Sequence, residues 1–268
     1  MPAGAALAEL LADLAEEQRA LDDVVAAMAP EGWDRPTPAA GWAVRDQISH
    51  LAFFDDAATT AIVEPERFVA QAEAAIAAMA SGDDPMAAHL TKGRAMQGDG
   101  LLAWWRQARA GLLAAAPSLE PGTRVPWYGP AMSAMSFVSA RLMETWAHGQ
   151  DVCNALGVDR PATRRLKHVA HVGVRARPFS FAVRGLPAPT EAVEVVLTGP
   201  GGERWEWDVP AASSVHGDAL DFCLVVTQRR HLADTALVVE GTAAHDWMAI
   251  AQAFAGPPGP GRPPRRSG

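Results

Sequence analysis

The chain reads as an N-terminal all-α four-helix bundle over residues 1–158 and a smaller C-terminal α+β domain over 159–256, with a Pro/Gly/Arg tail at 257–268. Three observations predict this. Apolar residues recur at helical spacing through the first part. The pattern turns to strand-like alternation beyond Asp159-Arg160-Pro161. The stretch from Gly256 to Arg266 is too rich in Pro and Gly to pack a core, so it is expected to be disordered or polyproline. With 268 residues, 49% apolar and 20% charged, the chain has material for a sizeable core and for more than one domain.

The first helix is marked by Leu7, Leu10, Leu11, Leu14, Leu21, Val24, Val25 and Met28. The segment Glu31–Pro38, with Gly32, Pro36 and Pro38, breaks it. A second helix is expected from about Val44 past Phe54, interrupted at Pro65. Glu66–Met79 is Ala-rich and helical, and Ser81-Gly82-Asp83-Asp84-Pro85 ends it. Leu101, Leu102, Trp105, Leu112 and Leu113 mark the third core helix, and Pro121–Pro130 forms a loop. The fourth core helix runs from about Met132 to Leu156, with Pro130 near its first turn. Beyond it, a helix is expected from Arg164 to about Phe179. Ala192–Thr198 and Arg204–Val209 form a hairpin across Gly199-Pro200-Gly201-Gly202. Asp218–Arg230 reads as a helix, Ala236–Glu240 as a strand and Ala243–Phe254 as a last helix.

Composition excludes several roles. The net charge is -8 and there is no basic stripe, which argues against nucleic acid as a partner. Two cysteines, Cys153 and Cys223, make no disulfide framework and no Cys-rich zinc module. Both read as small apolar fillers. The opening residues lack the basic region of a secretory signal, and no apolar run is long enough to span a bilayer. A cytoplasmic protein with no membrane partner is the expectation, as a monomer or a homodimer.

The chemistry centres on Glu144 and His148, four residues apart and therefore on one helical face. A carboxylate oxygen and an imidazole nitrogen so presented can hold a divalent metal. On spacing alone such a pair is more often a local ion pair. Its apolar company, Met143, Trp146, Ala147 and Val152, argues against a solvated face. His50, on the second helix, is a further candidate ligand or else an ordinary core histidine. The three donors N, O and N would leave a zinc ion with an open position, as catalytic sites do. Asp151 shares the face of Glu144 and His148 and is a candidate to orient the unliganded nitrogen of a zinc-bound histidine. Asp55 and Asp56 fall off the helical neighbour spacing from His50 and are not taken as ligands. His168 and His171 read as an ordinary helical pair, and His89, His216, His231 and His245 have no partner at useful spacing. Trp42, Trp127 and Tyr128 are expected to flank the metal mouth. Tyr128, the single tyrosine, offers a phenol that can donate a proton or hold an oxyanion, while Trp42 reads as an aromatic lid. Arg229 and Arg230 can grip an anion or complement a helix C-terminus.

The residues carry a resemblance. Trp33, the run Thr37–Asp46 and His50-Leu51 resemble the N-terminal domain of mycothiol-dependent maleylpyruvate isomerases, within the DinB-like metal-binding superfamily. Glu144-x-x-x-His148 followed by Asp151 resembles the second half of that signature. Gly217–Leu224 through Arg229 looks like the family's C-terminal domain, and the whole chain up to the tail is similar to an actinobacterial metal-binding subfamily. The resemblance implies zinc on His50, Glu144 and His148. It implies mycothiol or a similar low-molecular-weight thiol as cosubstrate, with an arginine from the later helix end, Arg229 or Arg230, helping to form the thiol site. The isomerase's substrate does not follow, since fold and metal site travel between chemistries. The expected activity is a thiol-dependent transfer to, or isomerisation of, a small electrophile in a cleft between the domains. Trp127 and Tyr128 would shape the electrophile pocket. The alternatives are a hydrolase using metal-activated water and a non-catalytic binding protein.

Overall fold

The computed structural model describes residues 3–82, 87–120 and 122–265. The helix stop expected at Asp83, Asp84 and Pro85, Pro121 of the long loop, and the tail end at 266–268 lie outside them. The chain divides into two compact units, Met1–Asp159 and Arg160–Gly268.

The first unit is built on four long helices: α1 (Ala3–Ala26), α2 (Val44–Val63), α5 (Gly98–Ala115) and α6 (Ala134–Leu156). Between α2 and α5 lie α3 (Pro65–Ala80) and α4 (Ala87–Arg94). The α4 helix was not expected from the sequence, because His89–Arg94 shows no apolar periodicity. Each terminus has a local cause. Asp46 accepts a hydrogen bond from the Ala43 N–H at 2.9 Å, covering an orphan donor at the start of α2. Pro65 ends α2 and opens α3. Ser133, rather than Pro130, caps α6 by accepting from the Ser136 N–H at 3.2 Å. Pro130 instead precedes β2 (Met132–Ser133), which pairs antiparallel with β1 (Arg124–Val125). Gly157 closes α6 with φ of 68°, a left-handed conformation that glycine adopts without penalty.

The bundle core is apolar and continuous. Leu21, Val25, Val44, Ile48, Leu51, Leu101, Trp105 and Val152 pack together from all four long helices. Along the seam between α2 and α6 the lining is polar. Asp55 meets Arg141, His50 meets Glu144, and Gln47 meets His148. As the numbers fall on α2 they rise on α6, so the two helices run antiparallel with these couplings as successive rungs. The Arg141 guanidinium donates two bonds, 3.3 and 3.2 Å, to Oδ1 of Asp55, and both residues are buried.

The second unit holds a four-stranded sheet of order β4-β3-β5-β6: β3 (Val193–Thr198), β4 (Arg204–Trp207), β5 (Ser213–Asp218) and β6 (Val238–Glu240). The hairpin read from the sequence is β3–β4, with Val195 opposite Trp207. The strand missed is β5, which runs parallel to β3 at the sheet's centre. Its sequence, Ser-Ser-Val-His-Gly-Asp, carries neither β-branched enrichment nor alternation. The helix expected from Arg164 is divided at Ala176 into α7 (Leu166–Arg175) and α8 (Arg177–Ala182), with Pro178 in the new first turn. Helix α9 (Ala219–Val226) is capped by Asp218 and is shorter than expected, since the chain turns at Gln228 with φ of 59°. Helix α10 (Thr242–Met248) likewise stops early. Gly173 of α7 lets α9 approach closely, because a Cβ there would meet Val226 at 2.6 Å. Residues 257–265 form neither helix nor strand, and Arg265 N–H bonds Asp234.

Replacing Asp55 with Ala leaves the Arg141 guanidinium buried without its counter-charge. This is expected to cost about 3–5 kcal/mol in urea unfolding, whereas the double replacement Asp55→Ala/Arg141→Met recovers most of the loss. The second prediction concerns acid. Burial pushes the Asp22 carboxyl up, but Arg106 and Arg109 of α5 outweigh it and lower the pKa below the ordinary value. A depressed carboxyl stabilises the fold above its unfolded pKa and loses that contribution as pH falls through the folded value. Wild type is therefore expected to lose more stability than Asp22→Asn on acidification below about pH 4, measured by denaturant midpoints.

Candidate functional site

His50 projects from α2, and Glu144 and His148 from α6, onto the polar seam. Glu144 Oε2 lies 3.1 Å from His148 Nε2 and 3.5 Å from His50 Nε2. Among the described residues these three form the one group of His, Cys, Asp or Glu whose ligand atoms all fall within 4.8 Å of one another. Their side chains keep 18%, 18% and 11% of their surface, so the group is partly rather than fully enclosed. Burial and the neighbouring His148 push the His50 pKa down to about 3, so its ring is neutral and able to act as a ligand. Burial raises Glu144, but the close approach of the His148 and His50 imidazoles overcomes it and holds the carboxylate well below its ordinary range. His50 Nδ1 is buried without a hydrogen-bond partner. A second imidazole nitrogen left in this state, beside an ionised carboxylate and another imidazole, is the chemistry of a donor set for a divalent ion. The residues present fit such an ion.

The ring of Trp42 stacks on His148, with centroids 5.9 Å apart and an interplanar angle of 17°, and lies 5.3 Å from His50. It is a wall of the site rather than a lid packed elsewhere on the bundle. Trp42 also lines a cleft of about 440 Å³ with Thr37, Arg45, Asp46 and Arg94; none of the three candidate ligands lines it. On the other side, His50 packs against Phe54 at 4.5 Å and His89 at 5.4 Å. Phe54 passes the contact on to Trp127 and Tyr128 at 6.1 and 5.7 Å.

Residues 3–153 match the family described as the mycothiol maleylpyruvate isomerase N-terminal domain. The chain belongs to that family. Two uncharacterized proteins of Mycobacterium tuberculosis, from strains CDC 1551 / Oshkosh and ATCC 25618 / H37Rv, are each 46% identical to it over 253 residues, covering 94% of this chain and 97% of theirs. The crystal structure of the mycothiol-dependent maleylpyruvate isomerase superposes with a TM-score of 0.54 at 14% identity, covering 89% of this chain and 95% of its own. A histidine-to-alanine mutant of that isomerase gives 0.55 at 16%, covering 83% and 89%. At such identity the likeness is one of fold: a DinB-like helical bundle followed by a smaller α+β region.

Within this family frame, one expected role moves to another residue. Asp151 does not take the second nitrogen of His148. That nitrogen, Nδ1, meets Gln47 Oε1 at 2.5 Å. Side chains on a helix lean toward its N-terminus, so His148 reaches back to Glu144 and across to α2, while Asp151 lies a turn behind it, buried on α6. Gln47 is itself fully buried. Sequence reading missed it because the two residues stand a hundred positions apart. His89 was missed in the same way; no spacing rule links it to His50. Tyr128 packs by its ring against Phe54, Phe68 and Trp127, and burial raises its phenol pKa, with Arg141 pulling partly back. Arg229 and Arg230 belong to the second unit, in the turn after α9. Arg229 Nη1 donates to Thr227 O at 2.7 Å, and Arg230 Nη1 pairs with Asp221 at 2.7 Å. Of the remaining histidines, His216 pairs with Glu194 at 3.1 Å and His171 accepts from Trp207 at 3.2 Å. Cys153 and Cys223 are buried and unbridged. No described helix is long and apolar enough to cross a membrane.

The α4 backbone that carries His89 approaches α2 closely at Gly93, where a Cβ would sit 2.4 Å from Ser49 Oγ. Gly93→Ala is therefore expected to destabilise the protein by about 1–3 kcal/mol through overpacking. A gain in urea midpoint, as helix propensity alone would give, would contradict this close approach.

Proposed function

We propose that the chain is a metal-dependent enzyme, with zinc as its ion, that uses mycothiol or a similar thiol to modify a small electrophile by transfer or isomerisation. The observation that carries this reading is the convergence of two imidazole nitrogens on one carboxylate oxygen, at 3.1 and 3.5 Å, in a group that is only partly enclosed. Family membership supports the thiol.

His50, Glu144 and His148 would hold the ion. An ion held there would supply the positive charge that favours a thiol's nucleophilic thiolate near neutral pH. Trp42 and Phe54 flank the histidines and exclude water from one side each. Tyr128, held protonated by burial, is suited to donate a hydrogen bond to an oxygen that gains charge as the electrophile is attacked. Trp127, stacked on Phe68 at 5.4 Å, fixes the tyrosine's position. Arg229 is assigned to an acidic group of the thiol, with Arg230 engaged by Asp221.

Purified protein reconstituted with zinc is expected to retain about one ion per chain, and His148→Ala or Glu144→Gln to lose it, by elemental analysis after dialysis. Calorimetry should then show the thiol binding the zinc-loaded protein and not the metal-depleted one. Arg229→Ala should weaken that binding while leaving zinc content intact. Wild type without bound metal overturns the reading. Metal without thiol binding replaces it with hydrolysis by metal-activated water.

A further inference from the structure

We propose that Gln47 is a positioning residue that fixes the tautomer of His148 and thereby makes the His148–Glu144 contact a cation site rather than an ordinary hydrogen bond. This rests on the metal reading above only for its consequence in affinity. The tautomer itself follows from a chain of buried hydrogen bonds.

The chain ends on the Trp42 carbonyl, which can only accept. Thr37 Oγ1 lies 2.8 Å from that oxygen, so the hydroxyl proton is committed to it. The threonine oxygen then has only lone pairs to offer Gln47, whose Nε2 stands 2.9 Å away and donates. With its amino end on Thr37, Gln47 presents Oε1 to His148 Nδ1 at 2.5 Å. A carbonyl oxygen accepts, so the proton sits on Nδ1. The lone pair of the neutral ring is then on Nε2, directed at Glu144 Oε2 at 3.1 Å. Two acceptors face each other there while the ring is neutral, and a positive charge reconciles them, carried either by a second proton on the ring or by a bound cation.

The reverse orientation fails at the far end. A flipped amide would set Gln47 Oε1 against a Thr37 oxygen whose proton is already spent, a contact between two acceptors. Gln47 is fully buried and Thr37 nearly so, which leaves no water to repair the mismatch. The reverse orientation would also favour the other tautomer, with Nε2–H donating to Glu144. That is a complete hydrogen bond from the ring to the carboxylate, and a metal would have to displace its proton. The acceptor-only backbone oxygen of Trp42 thus sets the direction of every bond up to the ligand atom. The amide orientation is decided by this network, as it must be for any glutamine. Trp42 acts twice, since its ring also stacks on the imidazole whose proton its carbonyl assigns.

The test uses the full chain labelled with nitrogen-15, metal-free at about pH 9, where an ordinary imidazole is neutral. Two-bond proton–nitrogen correlation spectra report the His148 tautomer, with His148→Ala giving the assignment. Wild type is expected to show the Nδ1–H form. Gln47→Leu should shift the ring toward Nε2–H, and Gln47→Glu, which keeps an acceptor at that point, should restore Nδ1–H. Thr37→Val, at the edge of the network, should give a mixture and serves if the core variant does not fold. On zinc titration, Gln47→Leu should bind about 10–100-fold more weakly than wild type. An Nε2–H signal in wild type, or an unchanged tautomer in both Gln47→Leu and Thr37→Val, overturns the proposal. Zinc affinity equal in Gln47→Leu and wild type also overturns it. If wild type takes up no zinc while the tautomer shifts as stated, the assignment of Gln47 stands and the metal reading falls.

Discussion

The carboxylate of Glu144, caught between two imidazoles where α2 and α6 face each other, is the constraint around which the first unit is organised. An ionised carboxylate inside a helical bundle is costly unless its lone pairs are met. Here two imidazoles from antiparallel helices converge on it, so the group exists only while those helices keep one register. A slip of one residue on either helix would rotate a ligand off the seam.

That register is held from both ends. Below the ligand group, Asp55 and Arg141 form a buried pair that is expensive to break. Above it, Gln47 ties His148 to the Thr37–Trp42 turn, and Val44 and Val152 close the apolar core. The polar seam runs beside a core built mainly of leucine, isoleucine, valine, alanine and tryptophan. Apolar burial supplies the stability, and the seam determines which faces meet. The aromatic residues Trp42 and Phe54 wall the group, and Trp127 and Tyr128 pack behind Phe54.

The bundle was legible because its helices announce themselves by leucine spacing, by Pro65 and by Gly157. The pairing of Glu144 with His148 was legible because it lies within one helix. What lay between helices was not. Gln47 lies 101 residues from His148 and His89 lies 39 from His50, and no local pattern records such meetings. Asp151 was the natural choice from helical projection, but projection ignores the lean of side chains toward the helix N-terminus. In the second unit the central strand β5 escaped notice because a strand covered on both sides by neighbours needs no alternation, and Ser213, Ser214 and Gly217 have little strand propensity of their own.

Anomalous diffraction at the zinc absorption edge, on crystals grown with zinc, tests the central claim most directly. The account predicts a single strong peak bounded by His50 Nε2, Glu144 Oε2 and His148 Nε2, with His148 Nδ1 still on Gln47. A strong peak elsewhere, with these three side chains in direct contact and no density between them, would contradict it.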